Sequence, residues 1–515
     1  MRTAIFLLLL LAIAAIPGSL VPQRSADPNG VNQYFRDNPV LAPVLDTFQV
    51  FDVYSSVWFS AIYLLLFVSL IGCVIPRTWH HLKALRTPPP RTPARLARLE
   101  GYRRVVVPAG AKDASGASLN EAHVVETARQ QLRRAGYRVR LFDGGGLSVS
   151  AERGYLRETG NLVFHVALLG MLIAIGIGSG FGYHGQRVVV VGQKFVNVLA
   201  DYDSFIPGRF VGESLPPYRI QVDKFSASYE EQNLKALGVA TDFTAYVTTT
   251  VGDSAPQKAT IKVNHPLRIE GTSVYLLGNG FAPKITVRDP SGKVVKSESI
   301  PFLPQDIYLT SLGIVKVPDG LSEQLGMVGM FYPTAAPKQD GGLTSRYPGL
   351  LNPVLTLNVF AGDLGLDTGR PVSEYALNTD GMTAIAGAGS GVDSLRLTPG
   401  QTADLPDGLG TVTFENVSPP GTKDGDLSDS VSRFVSLDIR HDPSQGWMLF
   451  FALCVIGGLL TALFVPRRRV WVKATAADDG SMLIEYAALA RGEDPTLDRA
   501  IAEVAEKHAA ALGLG

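Results

Sequence analysis

Cysteine is almost missing: Cys73 and Cys454 are all that 515 residues contain. No disulfide framework can therefore hold the chain together. There is no Cys-x-x-Cys, so the chain cannot run dithiol–disulfide exchange, nor offer a cysteine zinc site of the usual spacing. Any redox role passes to a partner. Net charge is missing too, with 47 Lys and Arg against 47 Asp and Glu. Neutrality argues against a nucleic-acid partner, because phosphates require a basic face. Gly-x-Ser-x-Gly, His-Glu-x-x-His and Gly-x-x-x-x-Gly-Lys do not occur, so hydrolase and phosphate-loop chemistry have no anchor. No internal repeat is visible.

Charge is also absent from four apolar runs, 3–20, 54–75, 161–182 and 447–465. About 20 such residues cross about 30 Å of hydrocarbon as a helix. The pattern predicts an integral membrane protein with four transmembrane α-helices. The first run also reads as a cleaved signal peptide, with Arg2 as its charged end and 15–19 as the cleavage neighbourhood. Lys and Arg flanks set the orientation. Arg77, Lys83, Arg86, Arg91, Arg95, Arg98, Arg103 and Arg104 face one acid, Glu100. Arg153 and Arg157 precede the third run, and Arg467, Arg468 and Arg469 follow the last. These flanks are expected inside, with both termini cytoplasmic at the cell membrane. The segment 21–53, with two Arg and four Asp, is expected outside.

The expected organisation follows. Residues 1–53 hold the first transmembrane helix (3–20) and a short outer loop, and 54–76 the second helix. Residues 77–159 hold a basic, proline-rich linker and a small α+β segment. The third helix covers 160–182, the large extracytoplasmic domain 183–446 and the fourth helix 447–466. Residues 467–515 form a C-terminal hairpin and helix. In 101–152 the periodicity predicts a strand at 103–108, a helix at 119–134 ended by Gly136, and strands at 137–142 and 146–151. Neither this piece nor 470–512 can bury a good core alone, so the two are expected to form one small cytoplasmic α+β unit. The outer region carries short alternating runs such as 218–225, 241–251 and 433–439. These predict one or two antiparallel β-sandwich layers. The glycine-rich stretches 319–350 and 380–392 are expected to be loops.

His165 is the strongest functional candidate. It lies inside the third apolar run, where an ionisable group is costly and defaults to a functional role. Neutral imidazole is a good axial ligand for haem iron. The competing role is a hydrogen bond to a neighbouring helix. His184 and His441 flank the outer domain and are expected to face each other, as a weaker second haem position. Interfacial polar residues are common, and that plainer role is favoured for them. Cys73 is another weak haem-binding candidate, since thiolate binds haem iron, although a buried thiol is usually a small apolar group. His265, in Asn264-His265-Pro266-Leu267, reads as a constrained connection. His80 and His81 read as solvated linker residues, and Cys454 as an ordinary apolar position. The run Gly176-x-Gly178-x-Gly180-x-Gly182 reads as a close helix-packing surface. No catalytic residue and no metal other than haem iron is expected.

The order of parts resembles the ResB (CcsB) family. Ser55-Ser56-Val57-Trp58-Phe59 through Ser69-Leu70-Ile71-Gly72-Cys73 and Pro76-Arg77 looks like that family's second helix and its exit. Gly160-Asn161-Leu162-Val163-Phe164-His165-Val166-Ala167-Leu168-Leu169-Gly170 looks like its third helix, with the family's membrane histidine at His165. Asn264-His265-Pro266-Leu267 and Gly271 through Tyr275 look like its outer-domain signature. The resemblance implies a System II cytochrome c biogenesis factor. It would work with a ResC (CcsA) type haem-handling membrane protein to carry haem outward and support its attachment to apocytochrome c. A thioredoxin-like reductant and its membrane electron donor would act indirectly. The tryptophan-rich motif of ResC is absent, so the chain would assist a haem lyase and not be one alone. The alternatives are a membrane-anchored extracytoplasmic ligand-binding or sensor module and, last, a transporter.

Overall fold

The computed structural model describes residues 2–24, 28–113, 116–144, 146–233, 236, 238–339, 341–366 and 374–514. Three helices are long and apolar enough to cross a membrane, lying in Leu41–Arg86, Tyr155–Phe181 and Gln445–Phe464. The apolar N-terminal helix Arg2–Leu20 falls short of them, its apolar stretch being Ile5–Leu20. The chain divides into two units. One comprises Met1–Ile177 and Ser444–Gly515, and the other Gly178–Pro443.

In the first unit, Val57–Arg86 is one helix of 30 residues, opened by Ser56, whose side chain accepts from the Phe59 amide at 3.2 Å. The expected linker at 77–86 is therefore helical. Pro76 forfeits only its own bond to the Gly72 carbonyl, a loss that membrane helices tolerate. The segment 21–53 is not a plain loop. Apart from residues 25–27, which lie outside the described ones, it forms the helices Pro28–Asp37 and Leu41–Thr47 around buried Val31, Ala42 and Phe51. Arg24 joins it at Asp46 (2.7 Å) and Asp52.

The two flanking segments form one antiparallel five-stranded sheet. Its order is Arg103–Val107, Met482–Ala490, Arg468–Ala476, Leu147–Arg153, Arg138–Asp143. The helices Glu121–Arg134 and Leu497–Ala511 bury Val124, Ala128, Leu132 and Ile501 against Val149, Val472, Ile484 and Tyr486. Asn120 caps the first helix at the His123 amide (2.8 Å), and Gly136, at φ +79°, turns the chain out of it. The opposite face buries Trp471 and Ala487 under Leu96 of the linker. The predicted α+β unit is thus a single sheet that neither segment completes alone.

Among the described residues of the second unit, the named strands pair antiparallel. Five strands ordered Leu267–Ile269, Thr272–Ala282, Ser432–His441, Tyr183–Val190, Ser204–Pro207 share a core with the sheet Lys194–Val196, Tyr218–Tyr229, Ala240–Val251, Gln257–Lys262. A second core lies between the sheet containing Lys284–Arg288 and the sheet containing Ser311–Val317, Leu325–Tyr332 and Val354–Ala361. The glycine-rich stretches are not simple loops. Leu325–Tyr332 lies inside 319–350 and is a central strand, and Thr383–Ala386 lies inside 380–392. Gly313 and Gly329 are bare because the ring of Phe302 lies across both. An added Cβ would meet that ring at 2.3 and 2.7 Å.

Candidate functional site

A cleft of about 730 Å³ opens in the first unit beside the cytoplasmic flanks expected from sequence. Three chain segments build it. Val57–Arg86 contributes Val74, Arg77, His80, His81 and Ala84, which stand at i−3, i, i+3, i+4 and i+7 from Arg77 on one helix face. Tyr155–Phe181 contributes Arg157, Glu158, Asn161, Leu162 and His165. Arg467 and Arg491 come from either end of the C-terminal hairpin. Gly154, at φ +92°, makes this meeting possible: a Cβ there would stand 2.2 Å from the Pro466 carbonyl oxygen.

The His165 ring is oriented by its own helix. Nδ1 lies 2.7 Å from the Asn161 carbonyl oxygen. A carbonyl only accepts, so Nδ1 carries the proton and Nε2 keeps a bare lone pair. The Phe164 ring meets His165 edge-on at 5.0 Å. Four arginines line the same cleft against one carboxylate, Glu158. Arg467 reaches Glu158 (3.3 Å) and buried Glu152 (2.9 Å), and Arg491 reaches Glu158 (3.0 Å). Arg157 donates to the Arg491 carbonyl. Burial alone would raise the Glu152 carboxyl. Arg469, Arg467 and Tyr155 outweigh it and hold that group below its ordinary range. The cleft is thus cationic, flanked by apolar helix surface, with imidazoles on its wall. Such a lining can take an anionic ligand, and its imidazoles can act as neutral donors.

His184, His441 and His265 lie elsewhere. Contrary to expectation, His184 and His441 do not face each other. His184 pairs with Arg440 and His441 with Tyr183 on adjacent strands, so the two side chains emerge on opposite faces of the sheet. His184 bonds Asp438, and His441 stacks on Tyr183 at 5.1 Å. Asp438 also accepts from Arg440 Nε at 2.9 Å. Burial would raise its carboxyl, but His184 and Arg440 hold it low. His265 closes a tight turn, exchanging backbone hydrogen bonds with Lys262 at 3.0 and 3.2 Å. Cys73 is half-buried and absent from the cleft lining. Gly176 meets nothing within 4 Å, whereas Gly160 and Gly458 sit backbone to backbone. Close helix contact in this unit is therefore made at Gly160 and Gly458.

Sequence reading missed His80, His81, Arg157 and Arg491 as cleft residues. The signal for the histidines was their i+3 and i+4 spacing from Arg77, hidden by ending the helix at Pro76. Nothing in the sequence foretold Arg491, which arrives through strand pairing.

A family model described as the ResB-like family matches residues 1–502. The chain is similar to the cytochrome c biogenesis protein CcsB of Synechococcus sp. (strain WH7803), 29% identical over 282 residues, or 53% of this chain and 58% of that protein. It is also similar to the protein of that name from Prochlorococcus marinus (strain NATL1A), 25% identical over 324 residues, 60% of this chain and 67% of that one. The counterpart from Gloeobacter violaceus (strain ATCC 29082 / PCC 7421) is 27% identical over 328 residues, 59% and 62%. The chain spans less than two thirds of the length of the Synechococcus relative.

Proposed function

The chain belongs to the ResB-like family, and on that premise we propose that it is a c-type cytochrome biogenesis factor of the System II pathway. With a ResC (CcsA) type membrane partner it delivers haem across the membrane and supports its covalent attachment to apocytochrome c. Haem is cargo here, and the chain assists a lyase complex. In this reading the shorter helix Arg2–Leu20 joins the three long apolar helices in crossing the cell membrane, both termini are cytoplasmic and residues 183–446 are extracytoplasmic. A thioredoxin-like reductant and its electron donor keep the apocytochrome thiols reduced, since this chain has no dithiol.

The observation that carries this reading is the cleft. His165 offers a bare Nε2 beside Arg77, Arg157, Arg467 and Arg491. Imidazole suits haem iron, and guanidinium groups suit the propionates. The chain's own work is to orient the ring through Asn161, to draw in an anionic amphipath, and to hold it until the partner takes it. The β-rich second unit docks the unfolded apocytochrome along its strand edges, as extended peptides add to sheets.

His165→Ala in the co-purified complex tests the reading. Haem content and holocytochrome c yield both fall if it holds. Unchanged values for both would remove it.

A further inference from the structure

A second recess, of about 480 Å³, lies in the first unit and shares no residue with the cleft of His165. It is bounded by the last turn of the helix Glu121–Arg134, one face of the helix Leu497–Ala511, and the strand ends at Arg153 and Arg468. Arg134, Arg153, Arg468, Arg499 and Lys507 line it with one acid, Glu503. Arg468 is buried and spent on Asp494 (2.5 Å), and Lys507 stands 3.8 Å from Glu503. Among the described residues no carboxylate pairs with Arg134, Arg153 or Arg499. Arg153 is already placed. Its guanidinium lies 4.7 Å over the Tyr137 ring, and Nη1 donates to the Ala135 carbonyl at 3.4 Å. The Leu132 and Arg133 carbonyls accept from the Tyr137 and Gly136 amides at 3.0 and 3.1 Å. The carbonyl end of that helix, which would repel an anion, is thus covered. Leu132, Ala500 and Val504 add apolar wall.

Position selects the ligand. Arg153 ends its strand two residues before Tyr155–Phe181 begins, Arg468 opens its own four residues after Gln445–Phe464 ends, and the two pair across the sheet. The recess therefore stands at the end of the sheet from which two long apolar helices leave. The uncharged run of the first helix begins at residue 161, about 9 Å beyond Tyr155 at about 1.5 Å per residue. Headgroups fill about 5–8 Å on each side of the hydrocarbon, and long arginine stems cover the remaining gap. Guanidinium groups without carboxylate partners match phosphate oxygens in charge and fork geometry. We infer that this recess binds the phosphate headgroup of an anionic lipid, of the phosphatidylglycerol kind, from the leaflet on its side of the membrane. A soluble phosphate ester shares the charge, but it gains nothing from the apolar wall or from a place beside the bilayer. The inference rests on the reading above that these helices cross the membrane, and it uses none of the cleft residues.

The test uses the full-length chain in a neutral detergent. Phosphatidylglycerol and phosphatidylcholine of equal chain length are titrated in, and bound lipid is read by native mass spectrometry. The wild type is expected to prefer phosphatidylglycerol. Arg134→Gln combined with Arg499→Gln, both at exposed positions, is expected to weaken that binding about fivefold for each cation removed. Arg134→Lys with Arg499→Lys keeps the charge and is expected to keep the preference. Arg103→Gln, exposed on an edge strand of the same sheet, is expected to bind as wild type does. Equal binding of the two lipids overturns the inference, as does full binding by the glutamine pair. An equal loss in Arg103→Gln would show a diffuse basic surface in place of a site, and displacement of the lipid by glycerol 3-phosphate alone would show a soluble ligand. Either result overturns the inference too. Carbonate extraction of wild-type membranes checks the premise separately: release of the chain removes the membrane reading, whereas retention without lipid preference removes only this inference. The haem reading stands or falls on His165→Ala in the complex.

Discussion

At the scale of single residues, buried charge and buried imidazole set the pH response of the first unit. His508 is fully buried, receives the Tyr486 hydroxyl at Nδ1 (2.8 Å) and donates from Nε2 to the Val124 carbonyl (2.9 Å). Burial pushes it down to about 4, against a partial rise from the Val124 contact. The unfolded chain binds this proton near pH 6.5 while the folded chain refuses it. Stability is therefore whole above about 6.5 and drains as pH falls toward 4, by about 3 kcal/mol at most. Melting curves of wild type and His508→Gln between pH 7 and 4 check this. The wild type is expected to lose stability more steeply, and parallel slopes would sink the argument. Glu152 is the second test. It is 3% exposed and accepts from Arg467 and Arg469. Glu152→Gln takes the buried carboxylate from Arg467, which is left with Glu158 alone, and is expected to cost about 3 kcal/mol. Glu158→Gln, at a more open position, is expected to cost under about 1 kcal/mol. Thermal melting of both variants in detergent separates the two cases.

At the scale of elements, glycine decides which surfaces touch. A Cβ on Gly160 would lie 2.7 Å from the Gly458 carbonyl oxygen, and one on Gly458 would lie 2.7 Å from that of Gly160. Backbone cannot yield as a side chain can, so Gly160→Ala or Gly458→Ala must push the helices Tyr155–Phe181 and Gln445–Phe464 apart. Both are expected to lower the melting temperature and the purified yield, while Gly176→Ala, with open space around it, is expected to leave both unchanged. In the second unit, Gly329→Ala would drive a methyl into Phe302, and overpacking of this kind costs about 1–3 kcal/mol. Denaturant unfolding of the full chain in detergent measures it. Gly329 also misled the reading of 319–350. Sequence shows only that a side chain is missing there, whereas the reason is a ring supplied by Phe302, elsewhere in the chain.

At the scale of the whole molecule, the first unit is closed by its last residues. Met482–Ala490 and Arg468–Ala476 lie between Arg103–Val107 and Leu147–Arg153. Ending the chain at residue 466 removes two of five strands and the helix that covers Ile484 and Tyr486. It also removes Arg467 and Arg491 from the cleft. Such a truncation is expected to make residues 101–153 sensitive to protease, and co-expressed 467–515 is expected to restore protection. Continued protection of the truncated chain would show that the sheet is not cooperative. The same geometry changes the meaning of Arg467, Arg468 and Arg469. They read as orienting charges after an apolar run, yet Arg467 and Arg468 are nearly buried and paired with Glu152 and Asp494. Asp494 is held at about 2 by that contact.

Much of this protein is written in local pattern. Long uncharged runs mark the apolar helices, and period-two and period-3.6 alternation marks the strands and helices of 101–152 and 467–515. A histidine inside an apolar run singles out His165. Each of these depends only on residues near one another in the chain, where solvation and backbone geometry act directly. The rest depends on residues far apart in sequence. Strand pairing across 315 residues brings Arg467 to Glu152, and one helix running through Pro76 sets His81 beside Thr159. Register puts His184 and His441 on opposite faces. Hydrogen bonds and close packing between distant segments leave no local trace, so only the folded chain could decide them.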